Sequence, residues 1–164
     1  MNENADKRLD ELIDGFDQAM LVTHSLEGQL RARPMAIADH FETGLLYFAT
    51  RAEDEKLDEI LISPEVAVTM QGKNRYLSIT GSARVESDPA IAKMMWKSSM
   101  KLWFPEGVND PQLTLILVEP ERAEYWDRSG LRKLNFLWQA GKALLTGKKP
   151  DDQELSGHAK VKPN

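Results

Sequence analysis

The 164-residue chain contains no cysteine. That excludes disulfides, thiolate metal sites, iron–sulfur clusters and a cysteine nucleophile. No apolar run reaches the length of a membrane span. The first residues, Met1 to Asp6, are polar and carry no apolar h-region, so no secretory leader is expected, and the expected location is cytoplasmic. A basic excess is missing as well: 21 Lys and Arg stand against 26 Asp and Glu, for a net charge of −5. Binding a phosphate backbone needs a basic footprint, so no nucleic-acid partner is expected.

Several motifs are also absent. There is no GxGxxG. The nearest approach to a P-loop, Gly141 to Lys148, has five residues between its glycines and follows a helical pattern rather than a strand. His24, His40 and His158 show no metal-ligand spacing, and no serine-nucleophile elbow occurs.

What is present is the composition of one globular domain, 41% hydrophobic and 29% charged. The charge is uneven. Residues 1–127 hold 13 basic and 23 acidic side chains, whereas residues 128–164 hold 8 and 3. We therefore divide the chain into a domain over 1–127 and a basic C-terminal helix with a loose tail over 128–164.

Leu9, Leu12, Ile13, Phe16 and Met20 recur at helical spacing, which predicts a helix over about 5–18. Strands are predicted over 20–24, 29–38, 45–50, 66–71 and 75–85, then 113–118 and 123–126 separated by Glu119-Pro120. Gly81 inside the fifth strand marks a bulge or a barrel bend. A short helix over 53–62 is stopped by Ser63-Pro64, and Asp88-Pro89 supplies an N-cap and first-turn proline for another. Many short strands with few helices argue for a small antiparallel barrel, mainly β with peripheral helices.

Three groups of residues are candidates for chemistry. Strand alternation puts Arg31, Arg33, Met35 and Ile37 on one face and Ala32, Pro34, Ala36 and Ala38 on the other. Two arginines at i and i+2 either face water or hold an anion through their guanidinium forks. Pro34 cannot donate to a ladder, so it marks an edge, a bulge or a place where the neighbouring backbone serves something else. Next, Thr50 to Lys56 spans a strand-to-helix junction, where free N–H groups and the helix dipole suit a phosphate. Thr50 with Glu53 also spells a capping box, and Glu53, Asp54 and Glu55 would repel a phosphate if they pointed at it. The third group is aromatic: Trp103, Phe104, Tyr125 and Trp126, which would serve a core or wall a flat ligand.

In this order, Arg31-Ala32-Arg33-Pro34-Met35, Phe48-Ala49-Thr50 with Lys56, Arg75 to Gly81, Trp103-Phe104-Pro105 and Ala123 to Asp127 resemble the general stress protein branch of the pyridoxamine 5′-phosphate oxidase-like family. The resemblance covers about residues 5–127. It implies a six-stranded antiparallel split β-barrel of the FMN-binding type, and a homodimer with the flavin in a cleft shared by two subunits. The cofactor would be FMN, with FAD as the alternative. By position, Arg31 and Arg33 would hold negative charge, Arg33 near the phosphate and ribityl chain. Pro34 and Met35 would line the ring. Ala49 belongs to the matching strand, and Thr50 and Lys56 would contact the phosphate. Tyr76 stands where the oxidases carry a flavin-contacting glutamine, and Trp103 and Trp126 would cover the ring.

The sequence departs from the true oxidases at three places. Ala38 replaces a substrate-phosphate lysine, Glu55 replaces an arginine beside Lys56, and the C-terminal arginine-histidine-aspartate motif is missing. The resemblance thus implies a flavin-dependent oxidoreductase of unspecified substrate, or else a flavin-binding stress module without turnover. It does not imply oxidation of pyridoxamine phosphate. Deazaflavin or haem in the same barrel is a weaker reading.

Overall fold

The computed structural model describes residues 9–40, 44–127 and 158–161. Residues 9–13 are helical (α1). Then follow β1 (Gln18–His24), β2 (Leu30–His40), β3 (Leu46–Arg51), α2 (Glu55–Ile62), β4 (Glu65–Gln71), β5 (Arg75–Glu86), α3 (Pro89–Met95) and β6 (Leu113–Asp127). Two 3-10 turns, Ser98–Leu102 and Gly107–Asn109, lie between α3 and β6. The strands run β3-β2-β1-β4-β5-β6, and β3 pairs again with β6, so six strands close into an antiparallel barrel. This is the predicted fold class.

Alternation builds the interior. Leu21, Met35, Phe48, Val68, Leu77, Ile79 and Ile116 point into one core, which Leu57 and Ile60 of α2 and Leu9 and Ile13 of α1 seal. A second apolar cluster sits outside the barrel. Met95, Met100 and Phe104 pack there on Tyr47, Leu115 and Leu117, so α3 and the first 3-10 turn cover the outer faces of β3 and β6.

The first helix ends earlier than its spacing predicts. Helical residues stop at Ile13, and Met20 lies in β1. The Phe16 N–H already turns back to Ile13 O, and the Arg75 guanidinium donates to the Gly15 carbonyl while lying over the Phe16 ring. That contact fixes a turn where the helix would otherwise continue.

The strands predicted on either side of Glu119-Pro120 are one long strand. Its register against β5 shifts between Thr80 and Gly81, so that Thr80 faces Arg122 and Gly81 faces Pro120. The extra residue, Glu121, bends β6 without interrupting it. A Cβ on Gly81 would overlap the Glu119 carbonyl oxygen, so glycine is what lets the backbones approach. Beyond the bend, β3 no longer accompanies β6. There β7 (His158–Val161), which falls within the predicted tail, pairs with Ala123 to Trp126. The predicted basic helix, about 128–145, lies outside the described residues. Among the described residues, no helix is long and apolar enough to cross a membrane.

Candidate functional site

The barrel opens at one seam. β2 pairs with β3 only from Ile37 to His40, whereas its Leu30 to Ala36 pair with β1 alone. Meanwhile Ala49 to Arg51 of β3 continue along β6. The two strands therefore diverge, and Pro34 sits on the edge so created, where its missing N–H costs no ladder bond.

Two structures occupy this seam. On the inner side lies α2. Arg33 holds Glu59 through a fork, Nη1 to Oε2 and Nη2 to Oε1, both at 2.8 Å. Thr23 donates to Glu59 at 2.6 Å and accepts from Arg33 at 2.8 Å. Arg31 donates to Glu55 at 2.9 Å and to Glu59 at 3.3 Å. Met35 and Ile37 share this inner face, as alternation predicts. The anion held by the two arginines is thus internal: the carboxylates of α2 clamp the helix across the open seam. Glu59 is fully buried, and the Arg33 hydrogen bond holds its carboxyl below the usual glutamate range despite burial, with Thr23 adding to the effect.

The sign for stability follows from that depression. The clamp contributes fully above the ordinary glutamate pKa of ~4.3 and loses its contribution as pH falls through the lower folded value. Acid titration followed by circular dichroism should therefore show a flatter stability profile below pH ~4.3 for Glu59→Gln than for the parent. Parallel profiles would remove Glu59 from the acid response.

On the outer side lies a cavity of about 310 Å³. Its floor is built from the small side of β2 and β3: Pro34, Ala36, Ala38 and Ala49. Met100, Trp103 and Phe104 wall it, and Arg51, Asp54 and Lys97 bring charge to it. Met35 and Thr50 also line it. Trp103 is half exposed, whereas Phe104 is buried in the outer cluster and anchors the wall.

The junction between β3 and α2 closes one end of this cavity. The predicted capping box does not form. Asp54 is the N-cap residue, and Glu53 instead accepts from Gln112 at 3.0 Å. One oxygen of Asp54, Oδ2, accepts from Lys56 Nζ at 2.6 Å, from the Arg51 N–H at 3.1 Å and from the Thr50 hydroxyl. Lys56 also reaches Thr50 Oγ1 at 2.8 Å. Burial pushes the Asp54 carboxyl up, but the bonds from Lys56, Thr50 and the Arg51 N–H together hold it below the usual carboxylate range.

A second cavity of about 400 Å³ shares Pro34 with the first and is lined also by Gln18, Met20, Tyr76 and Trp126. The ten predicted site residues thus fall into three groups. Pro34, Met35, Ala49, Thr50 and Trp103 meet at the seam cavity, while Tyr76 and Trp126 line the other. Arg31, Arg33 and Lys56 line neither and are paired with carboxylates. Sequence reasoning missed Glu59 and did not foresee that Asp54 would take the three donors. The i, i+4 spacing of Glu55 and Glu59 on the short helix was the available signal.

Residues 4–151 match the family described as Pyridoxamine 5'-phosphate oxidase like. The chain belongs to that family. Among curated proteins, no match is found. Solved structures share the fold. A general stress protein 26 from Jannaschia sp. superposes with a TM-score of 0.72 at 23% identity, covering 99% of each chain. The general stress FMN/FAD binding protein from Xanthomonas citri gives 0.66 at 24% identity over 79% of this chain and 92% of its own. General Stress Protein 26 from Bacillus anthracis gives 0.65 at 24% over 73% and 92%.

Proposed function

We propose that this protein binds a flavin, FMN with FAD as the alternative, in the seam cavity, and that it is a small flavin-dependent oxidoreductase. The carrying observation is the cavity itself. A floor of small residues faces an aromatic wall, and Arg51, Asp54 and Lys97 bring charge to the lining. Its volume lies at the lower end of the ~300–1,000 Å³ typical of ligand sites, which suits a ring that remains partly open to a second molecule. The Xanthomonas citri relative is itself an FMN/FAD binding protein.

A bound flavin supplies reversible hydride or electron transfer. The chain's own groups hold and orient it. Ala36 and Ala49 leave room for a ring face, the β2 edge at Pro34 and Met35 offers backbone groups, and Trp103 excludes water from one side. Oxidation of pyridoxamine phosphate is not part of the reading. Position 38 is a buried alanine and position 55 a glutamate paired with Arg31, and neither residue type supplies the cation a substrate phosphate needs.

The reading includes a homodimer. Tyr76 and Trp126 line the neighbouring cavity that shares Pro34 with the seam cavity, on a surface where Met20 and Tyr76 are exposed. A second subunit seated there would bring its own Tyr76 and Trp126 towards the flavin. Titration with FMN and FAD, followed by visible absorption, tests the reading. A saturable spectral shift is expected at one flavin per chain, with a dimer by sedimentation. Ala36→Phe, which fills the floor from an exposed position, should weaken the flavin at least about ten-fold, ~1.4 kcal/mol, and leave the melting temperature nearly unchanged. Equal affinity in parent and variant would move the site elsewhere.

A further inference from the structure

We propose that Asp54 is a built-in competitor for the anionic end of the ligand, so that a phosphate must displace its carboxylate to reach Lys56 and Thr50. The proposal rests on the seam cavity being the flavin site. Three donors from Thr50, Lys56 and the Arg51 backbone converge on one oxygen, Asp54 Oδ2, as they would on one oxygen of a phosphate.

Position makes this a competition rather than a simple surface pair. Asp54 lines the cavity and Lys56 does not. The Lys56 side chain is 10% exposed and that of Asp54 is 37% exposed, so of this ion pair it is the carboxylate that reaches the ligand space. The other charged groups of the lining are both basic, Arg51 and Lys97. Once Asp54 swings away, the cavity presents cations only. A site of that charge pattern takes an anion, and Asp54 sets how strongly.

The carboxylate also has a role while the cavity is empty. A nearly buried ammonium without a partner is costly, so Asp54 supports the ligand-free protein. Its removal therefore has opposite consequences for the two states: it weakens the empty chain and tightens the complex with a phosphate-bearing ligand. A merely structural Asp54 would weaken both.

The test compares FMN with riboflavin, which shares the ring and ribityl chain but lacks the phosphate. In Asp54→Asn, FMN affinity should rise roughly ten-fold or more, as expected for one charge-assisted contact regained, while riboflavin stays within about two-fold. The melting temperature without ligand should fall. Adding Lys56→Ala to Asp54→Asn should abolish the gain. Unchanged FMN affinity in Asp54→Asn overturns the proposal and leaves flavin binding intact. So does FMN that weakens relative to riboflavin, and so does a gain that survives Lys56→Ala. If neither flavin binds either protein, the flavin reading fails, and inorganic phosphate decides the competition. A larger thermal stabilisation by phosphate in Asp54→Asn than in the parent supports it, and an equal one overturns it.

Discussion

Glu59→Ala should destabilise the protein by about 3 kcal/mol, the low end of the ~3–5 kcal/mol seen when one partner of a buried ion pair is removed. The low end applies because the Arg33 side chain keeps 24% of its exposure and can recover some water. Three groups each lose one partner at once. The Arg33 fork is emptied, Arg31 keeps only Glu55 and Glu27, and the Thr23 hydroxyl is left fully buried without its acceptor. The consequence is not confined to stability. Glu59 holds α2 across the seam, and α2 begins one residue after Asp54, so loosening the helix also disturbs the end of the cavity. Denaturant unfolding measures the first effect and flavin titration the second. A loss under about 1 kcal/mol would show that the clamp is a solvated surface feature and not a structural one.

Gly81→Ala should cost at least the upper end of the ~1–3 kcal/mol typical of overpacking. Here the obstacle is backbone. The new Cβ would overlap the Glu119 carbonyl oxygen and lie 3.0 Å from Pro120 Cα. No rotamer change relieves that contact. Either β5 and β6 separate at the bend or the bulge at Glu121 moves. Both outcomes disturb the long strand whose first half closes the barrel against β3 and whose second half carries Trp126. Calorimetric unfolding measures the loss, and a variant as stable as the parent would mean that the bulge relaxes freely.

The period was legible on β1, β4 and β5, where buried and more exposed residues alternate, whereas β3 and the first half of β6 are apolar on both faces because α3 and the first 3-10 turn cover them. On β2 the alternation separated Arg31, Arg33, Met35 and Ile37 from the small set Ala32, Pro34, Ala36 and Ala38, and Pro34 marked an edge; which set faced inward was not legible. Gly81 marked the bend for a reason visible in sequence alone, an isolated glycine inside a strand pattern. The first helix was drawn too long because Phe16 and Met20 continue a helical spacing by coincidence. A contact 60 residues away, from Arg75 to Gly15, decides the turn, and no local pattern reports it.

Which partner a charge takes was the part that local pattern could not supply. Arg33 and Lys56 have the residue types and spacing of an anion site. Each takes a carboxylate: Glu59 is brought to Arg33 by the fold across 26 residues, and Asp54 lies only two residues before Lys56 but meets it through the local backbone geometry. The acids at the start of α2 were visible in the sequence as a source of repulsion. Their capacity to take over the donors themselves appears only once the strand-to-helix turn is built.

The most direct test of the account is a crystal structure of the protein soaked with FMN. The ring is expected over Pro34 and Ala36 against Trp103, with its phosphate at Thr50 and Lys56 and the Asp54 carboxylate turned away. A flavin bound elsewhere on the barrel, or a saturating soak that leaves the seam cavity without flavin, would contradict it.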